Sequence, residues 1–114
     1  MKILILEDEP IIAIDLEEIV IDQIGTAKVL VADCIESALS SLDEGIDFAL
    51  LDIALGGEGE TSLPIARRLM LDRVPFCFVS SSLDDLPSMF GTVPQVPKPF
   101  RPEQVAEILP QTVA

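Results

Sequence analysis

The chain has 114 residues, of which 49% are hydrophobic, so it has enough apolar material for the core of one compact domain without disulfide bonds or a structural metal. It contains no His, which excludes Ser-His-Asp and Cys-His triads, HExxH zinc sites and phosphate transfer through a histidine of its own. Its net charge of −13 opposes nucleic-acid binding and no apolar run suits a signal peptide or a membrane span, so we expect a cytoplasmic protein without nucleic-acid or membrane partners.

Apolar runs of strand length alternate with helical patterns along the whole chain. The predicted strands span residues 2–6, 27–32, 48–53, 76–79 and 93–96. The predicted helices span residues 10–24, 34–43, 62–72, 84–90 and 102–109. Continuous apolar strands, such as the first and the third, are typical of a parallel sheet that is covered by helices on both faces. The pattern therefore predicts an α/β fold with a doubly wound, five-stranded parallel sheet flanked by five helices.

Polar residues with reactive side chains stand at the carboxyl ends of four predicted strands. Glu7 and Asp8 follow the first strand, Asp52 ends the third, Ser80 follows the fourth and Lys98 follows the fifth. In a doubly wound sheet, functional residues collect at these ends, beside the point where the strand order reverses. We therefore expect the five side chains to converge.

The acidic members of this group favour a divalent metal ion. The carboxylates of Glu7, Asp8 and Asp52 would repel one another without a cation, and hard oxygen ligands favour Mg²⁺. With two of these carboxylates holding the ion, the third can attack a phosphoryl group in line. Ser80 and Lys98 would then contact the phosphoryl oxygens. The residues thus predict an aspartyl phosphate as the product.

The five residues, in this order along nearly the whole chain, resemble the functional set of the receiver domains of two-component response regulators. The resemblance implies a flavodoxin-like, CheY-like fold with strand order 2-1-3-4-5. It implies that Glu7 and Asp8 bind the metal and that Asp52 binds it too and is the phosphoacceptor. Ser80 matches the switch hydroxyl of the family, and Lys98 matches its phosphate-contacting lysine.

The same resemblance implies further features of the site and of the chain. The backbone carbonyl of Ala54 would be an additional Mg²⁺ ligand, and the Lys98–Pro99 peptide bond would be cis. Residues 1–114 would form one receiver domain without an output domain. Such a protein is not an enzyme, apart from catalysing its own phosphorylation and dephosphorylation. The acidic charge favours a monomer in the unphosphorylated form.

One position departs from the usual family pattern. Receiver domains ordinarily carry Tyr or Phe three residues before the lysine, whereas this chain has Gln95, so an aromatic rotamer switch is not available there. We expect Ser80 to move toward a bound phosphoryl group and to reorder residues 81–90 instead. Phe90 is the candidate residue for transmitting this change.

A narrower resemblance rests on residues 51–58, 74–80 and 86–87. These segments are similar to the alphaproteobacterial single-domain receivers that are named for a PFxFATGY motif. The chain departs from that motif at residues 80–82, where three serines stand in place of Thr-Gly-Tyr. Members of the subgroup work with HWE or HisKA2-type sensor kinases, so the resemblance implies a kinase of that type as the partner.

Together, the two resemblances imply a single-domain response regulator of a two-component phosphorelay. It would accept a phosphoryl group on Asp52 from a sensor histidine kinase, with Mg²⁺, and would switch partner binding or pass the group to a histidine phosphotransfer protein. Ile11, Ile14 and Ile21 lie off the apolar stripe of the first predicted helix. They form a candidate docking surface for the helical domain of the kinase, or they are scattered surface residues.

Two other functions stay open at this point. The first is a pseudo-receiver, an interaction module that works without phosphorylation; such modules usually lack one of the key residues, and none is lost here. The second is a small Mg²⁺-dependent phosphohydrolase of the haloacid-dehalogenase type. That family carries a D-x-D-x-T signature after its first strand, where residues 7–10 of this chain read Glu-Asp-Glu-Pro.

Overall fold

The computed structural model describes residues 1–56 and 59–110, so residues 57–58 of the 51–58 segment and residues 111–114 lie outside the described residues. The strands are β1 (Lys2–Leu6), β2 (Lys28–Ala32), β3 (Phe48–Leu51), β4 (Phe76–Ser80) and β5 (Gln95–Pro97). The α-helices within the described ranges are α1 (Pro10–Gln23), α2 (Ile35–Leu42), α3 (Leu63–Leu71) and α4 (Pro102–Ile108). Two short 3-10 turns, Leu83–Asp85 and Ser88–Phe90, lie between β4 and β5.

The five strands form one parallel sheet with the order β2-β1-β3-β4-β5. This confirms the predicted doubly wound sheet and the strand order that the family resemblance implies. The chain runs from β1 outward to β2 and then returns to β3 on the other side of β1, so the order reverses at these two central strands. The carboxyl ends of β1 and β3 are therefore where the fold leaves a crevice for a ligand.

The sheet separates two apolar layers, and β1 shows how the alternation of side chains builds both of them. Leu4 and Leu6 pack with buried residues of α2 and α3, whereas Ile3 and Ile5 pack with buried residues of α1 and α4. All four side chains are fully buried, and each such burial stabilises the fold by about 1.5–3 kcal/mol. The carboxyl end of β1 is therefore held firmly in the middle of the sheet.

The prediction of a helix over residues 84–90 is wrong, so four α-helices rather than five flank the sheet in the described ranges. Pro87 has no backbone N–H, and Leu86 before it is extended, with φ −71° and ψ 130°, so the segment divides into two turns. Phe90 ends the second turn with its side chain fully buried. Its ring meets that of Phe78 edge to face, with the centroids 5.6 Å apart. A buried aromatic contact thus anchors a segment that lacks a regular helix.

Proline residues open two of the helices at positions where they lose no hydrogen bond. Pro10 is the first residue of α1 and Pro102 is the first residue of α4, as the sequence predicts. The longest helix of the described residues, α1, has 14 residues. None of the described helices is both long enough and apolar enough to cross a membrane.

Candidate functional site

The predicted site residues lie together at the carboxyl edge of the sheet, because backbone hydrogen bonds extend the ladders beyond the strands. The N–H of Glu7 donates to the carbonyl of Ala32 at 2.9 Å, directly after β1. The N–H of Asp52 donates to the carbonyl of Leu6 at 2.9 Å, directly after β3. The N–H of Lys98 donates to the carbonyl of Ser80, the last residue of β4, at 3.1 Å. Each functional side chain therefore starts from a backbone position that the sheet holds.

Three carboxylates form a cluster that fits a divalent cation. Glu7, Asp8 and Asp52 each offer one carboxylate oxygen, and these three atoms lie within 4.8 Å of one another. Glu7 and Asp52 are buried, and the buried Oε2 atom of Glu7 has no hydrogen-bond partner among the described residues. An orphaned buried oxygen beside two further carboxylates is the oxygen-only ligand set that Mg²⁺ prefers.

Lys98 bridges the two buried carboxylates. Its Nζ atom donates one hydrogen bond to Oε1 of Glu7 and a second one, of 3.0 Å, to Oδ2 of Asp52. Only 9% of the Lys98 side chain is exposed, so water screens this network little. The exposed carboxylate of Glu9 lies 3.9 Å from the same Nζ atom, and a long, solvated contact of this kind contributes little.

The pKa values of the two carboxyl groups that Lys98 bridges are shifted in opposite directions. Burial, assisted by the neighbouring Asp52 carboxylate, raises the pKa of Glu7 to about 8. Burial alone would also raise the pKa of Asp52, but hydrogen bonds from its neighbours outweigh burial and hold that pKa below its ordinary value. Burial lowers the pKa of Lys98, but its two carboxylate partners outweigh burial and raise that pKa. The two carboxyl groups therefore titrate as a coupled pair, in which Glu7 holds a proton more tightly than an ordinary glutamate and Asp52 less tightly than an ordinary aspartate.

The Ser80 hydroxyl lies next to Asp52 and is fully buried. Its Oγ atom accepts hydrogen bonds from the backbone N–H of Ser82 at 3.1 Å and from that of Ile53 at 3.4 Å. The Ile53 N–H also donates to Oδ1 of Asp52 at 2.8 Å. The Ile53 N–H thus links the Ser80 hydroxyl to the Asp52 carboxylate. The Ser82 N–H connects the same hydroxyl to the segment after β4.

The loop after β3 carries Ala54, two residues beyond Asp52. Ala54 is exposed and forms an isolated antiparallel bridge with Thr61. The side chain of Glu60 accepts a hydrogen bond of 2.8 Å from the N–H of Ile35 in the first turn of α2. The loop is therefore attached both to itself and to a neighbouring helix. The role of the Ala54 carbonyl as a metal ligand stays a prediction.

Neither the family models nor the curated proteins that we searched contain a match to the chain. Among solved structures, SdrG from Sphingomonas melonis Fr1 is 38% identical, with 95% of this chain and 92% of that chain covered and a TM-score of 0.80. The response regulator PhyR from Brucella abortus is 28% identical, with 94% and 45% covered and a TM-score of 0.77. The receiver domain of NtrX from Brucella abortus, at 20% identity, 93% and 92% coverage and a TM-score of 0.78, shares the fold.

The chain belongs to the response regulator receiver family. A solution structure of the BeF3-activated conformation of SdrG, from Pseudomonas melonis Fr1, is also 38% identical to this receiver. That comparison covers 93% of this chain and 90% of the SdrG chain, with a TM-score of 0.73. The TM-score of this receiver is thus higher with the first SdrG structure, at 0.80, than with the BeF3-activated one.

Glu7, Asp8, Asp52, Ser80 and Lys98 lie together at this edge of the sheet, and their roles in the receiver stay predictions. Gln95, three residues before the lysine, is exposed on the edge strand β5. The cis peptide bond Lys98–Pro99 is present, as the resemblance implies. Phe90 is already packed in the core against the β4 phenylalanines, with ring centroids 5.6 and 6.3 Å apart.

One residue beside the site was not identified from the sequence. Gly56, in the loop after β3, lies against the Asp8 carboxylate, and a Cβ atom at this glycine would be 2.6 Å from Oδ2 of Asp8. The only sequence signal is that the glycine stands four positions after Asp52 in a glycine-rich loop. The contact joins residues 48 positions apart in the chain, so local patterns cannot reveal it.

Proposed function

We propose that this receiver is a cytoplasmic single-domain response regulator that accepts a phosphoryl group on Asp52 with Mg²⁺ and then changes its binding to partner proteins. The observation that carries the proposal is the placement of Asp52: its Oδ2 atom lies 3.0 Å from Nζ of Lys98, within a cluster of three carboxylates. A buried, ionised carboxylate between a fixed positive charge and a metal-binding set is suited to attack phosphorus.

The proposed transfer forms a bond between an Asp52 oxygen and phosphorus and breaks the bond between phosphorus and the donor. With a phosphohistidine donor, a P–N bond breaks and the histidine nitrogen keeps the bonding electron pair. The lowered pKa of Asp52 keeps this carboxylate ionised at neutral pH. Mg²⁺, when bound, would neutralise charge on the phosphoryl oxygens. Lys98, whose raised pKa keeps it protonated, provides a second positive charge at the same place.

The output we propose is a change in the segment after β4. Oγ of Ser80 accepts a hydrogen bond from the N–H of Ser82, so a hydroxyl that turned to a phosphoryl oxygen would release that N–H. Residues 83–90 form only two 3-10 turns, each closed by few backbone hydrogen bonds. The part of the segment before Phe90 has so little regular structure that it reorders at low energetic cost, while the buried Phe90 anchors its end. The partner that reads this change is a further protein or a histidine phosphotransfer protein.

The named relatives differ in how similar they are to this receiver. The identity is 38% to SdrG and 28% to PhyR from Brucella abortus. SdrG therefore offers the better template for how this receiver works. The narrower likeness to the PFxFATGY subgroup favours a sensor kinase of the HWE or HisKA2 type as the phosphoryl donor.

The proposal predicts a single phosphate adduct on Asp52. Incubation with acetyl phosphate and Mg²⁺ is expected to add one phosphate to the intact mass, and hydroxylamine is expected to remove it because an acyl phosphate is labile to this nucleophile. The Asp52→Asn variant is expected to lose the adduct completely, since an amide cannot replace the carboxylate as the nucleophile. The Asp47→Asn variant, which changes an exposed carboxylate, is the matched control and keeps the adduct.

Other outcomes of this experiment favour the alternatives. Continuous release of phosphate from phosphate esters, with turnover and Mg²⁺ dependence, would identify a phosphohydrolase. Mg²⁺ binding without an adduct from either acetyl phosphate or a phosphorylated kinase would favour the pseudo-receiver. In that case, Asp52→Ala would also leave the cellular function unchanged.

The exposed isoleucines of α1 predict where the kinase docks. Ile11 and Ile14 are 76% and 55% exposed at the start of α1, directly after the acidic residues that follow β1. Ile14→Glu is expected to slow phosphotransfer from a purified, autophosphorylated HWE or HisKA2-type kinase about tenfold or more, because apolar anchors dominate such contacts. Phosphorylation by acetyl phosphate is expected to stay unchanged.

Leu71→Glu is the matched control for this prediction. Leu71 ends α3, is 80% exposed and lies on another face, so the same charge is added without disturbing α1. If both variants receive the phosphoryl group as fast as the wild type, the α1 isoleucines are scattered surface residues. If a HisKA-type kinase phosphorylates the receiver faster than either other type, the proposed kinase class is wrong.

A further inference from the structure

The space beside Asp8 exists only because residue 56 has no side chain. An ideal Cβ atom at Gly56 would lie 2.6 Å from Oδ2 and 3.7 Å from Cγ of Asp8. A carbon and an oxygen atom that are not bonded do not approach this closely, since their optimal separation is well above 3 Å. The Asp8 carboxylate therefore occupies a position that any other residue at 56 would take away.

The loop is less free to yield than the Asp8 side chain. Next to Gly56, the N–H of Leu55 donates to the carbonyl of Glu60 at 3.0 Å. Glu60 in turn accepts the N–H of Ile35 at the start of α2. The Asp8 carboxylate is the end of a half-buried side chain that can rotate about two bonds. A side chain added at position 56 would therefore displace the carboxylate rather than the loop.

We propose that Gly56 is a positioning residue for the metal site, which leaves the Asp8 carboxylate room to stand beside Glu7 and Asp52. This inference rests on the proposed function, because it concerns the Mg²⁺ ligands. The three carboxylate oxygens lie within 4.8 Å of one another, and Asp8 is the least buried of the three residues. Its orientation therefore depends most on its immediate neighbour. Replacement of a residue that orients a metal ligand in this way commonly lowers the metal affinity 10–100-fold.

The same loop contains a matched control. Gly59 has φ +76°, close to the φ of +70° at Gly56, so alanine pays a similar backbone penalty at both positions. A Cβ atom at Gly59, however, would have no atom of the described residues within 4 Å of it, apart from those of Gly59 itself and its chain neighbours. Comparison of the two alanine variants therefore separates backbone strain from the contact with Asp8.

The experiment titrates metal-free wild type, Gly56→Ala and Gly59→Ala with Mg²⁺ in an isothermal calorimeter and follows thermal unfolding by circular dichroism. We expect Gly59→Ala to keep the wild-type Kd, and Gly56→Ala to raise the Kd about tenfold or more. The two variants are expected to lower the thermal midpoint by similar amounts. In an Asp8→Asn background, Gly56→Ala is expected to weaken Mg²⁺ binding no further, because the carboxylate that it displaces is gone.

The outcomes distinguish this inference from the proposed function. Equal Mg²⁺ affinity of the wild type and both variants would overturn the role of Gly56 and leave the metal site standing. Equal weakening by both variants would assign the effect to backbone strain, and additive weakening in the Asp8→Asn background would show that Gly56 does not act through Asp8. A wild type that binds no Mg²⁺ would overturn both. If only Gly56→Ala fails to fold, the glycine serves folding rather than Asp8, and the inference is wrong.

Discussion

Replacement of Lys98 by methionine is expected to lower the free energy of unfolding of the metal-free protein by about 3–5 kcal/mol at pH 7. Lys98 is the positive partner of two buried carboxylates, and the exposed fractions of the three side chains are 9%, 1% and 8% for Lys98, Glu7 and Asp52. Methionine has a similar volume but no charge, so a buried carboxylate remains without its counter-ion. Urea denaturation followed by circular dichroism measures the loss in a chain that has no Trp or Tyr.

An exposed ion pair supplies the control for this variant. The Nε atom of Arg68 lies 3.0 Å from Oδ2 of Asp72, but about half of each side chain is exposed. Arg68→Met is therefore expected to cost about 0–1 kcal/mol. Mg²⁺ is expected to stabilise Lys98→Met more than the wild type, since a cation replaces the missing positive charge. A loss as small as that of Arg68→Met would contradict a buried Lys98 network.

Stability of the metal-free protein is expected to fall as the pH rises from about 5 to 8, with Glu7 as the main cause. Its pKa is 4.5 in the ordinary state and about 8 in the fold, so the folded protein holds a proton that the unfolded chain releases. The contribution of Glu7 is therefore complete below pH 4.5 and is lost as the pH passes about 8. A tenfold change in proton affinity is worth about 1.4 kcal/mol, so the loss is on the order of 4 kcal/mol.

Asp52 acts in the opposite direction at acidic pH. Its pKa is lower in the fold than its ordinary value of 3.8, so its contribution is present above pH 3.8 and is lost as the pH falls through the folded pKa. The two groups together place the stability maximum between their two ranges. Protonation of Asp52 lowers the stability on the acid side of this maximum, and ionisation of Glu7 lowers it on the alkaline side.

The Glu7→Gln variant tests the alkaline limb. Glutamine keeps the shape of the side chain and cannot ionise, so the fall in stability between pH 5 and 8 is expected to flatten. Glu18→Gln removes an exposed carboxylate of α1 and is expected to keep the wild-type slope. Thermal or urea unfolding at several pH values provides the measurement. Parallel profiles for the wild type and Glu7→Gln would mean that another group causes the slope.

The strands and most helices were predictable because their signals are local. An apolar run such as residues 48–51 needs burial on both faces, and a parallel sheet covered by helices provides this. The carboxyl ends of parallel strands share one edge, so the sequence alone predicts that Glu7, Asp52 and Lys98 lie together. Their identity as the phosphorylation machinery is still a prediction, which the mass measurement addresses.

The helix predicted over residues 84–90 shows where local signals fail. A weak helical pattern favoured a helix, but Pro87 has no N–H to donate and Leu86 before it is extended. Burial of Phe90 beside Phe78 then fixes the segment without a helix. The conformation of this segment therefore depends on its packing against β4. A local sequence pattern contains no information about that contact.

By itself, the sequence determined the layered fold, the order of its elements and the residues that meet at the carboxyl edge, because strand periodicity and strand ends are properties of short segments. Only the tertiary structure decided that Glu7 is buried with an unpartnered oxygen, that Lys98 bridges two carboxylates, and that Gly56 touches Asp8. These features depend on distances between residues far apart in the chain. Burial and short contacts set charge and proton affinity, so the chemistry of the site is a property of the folded chain.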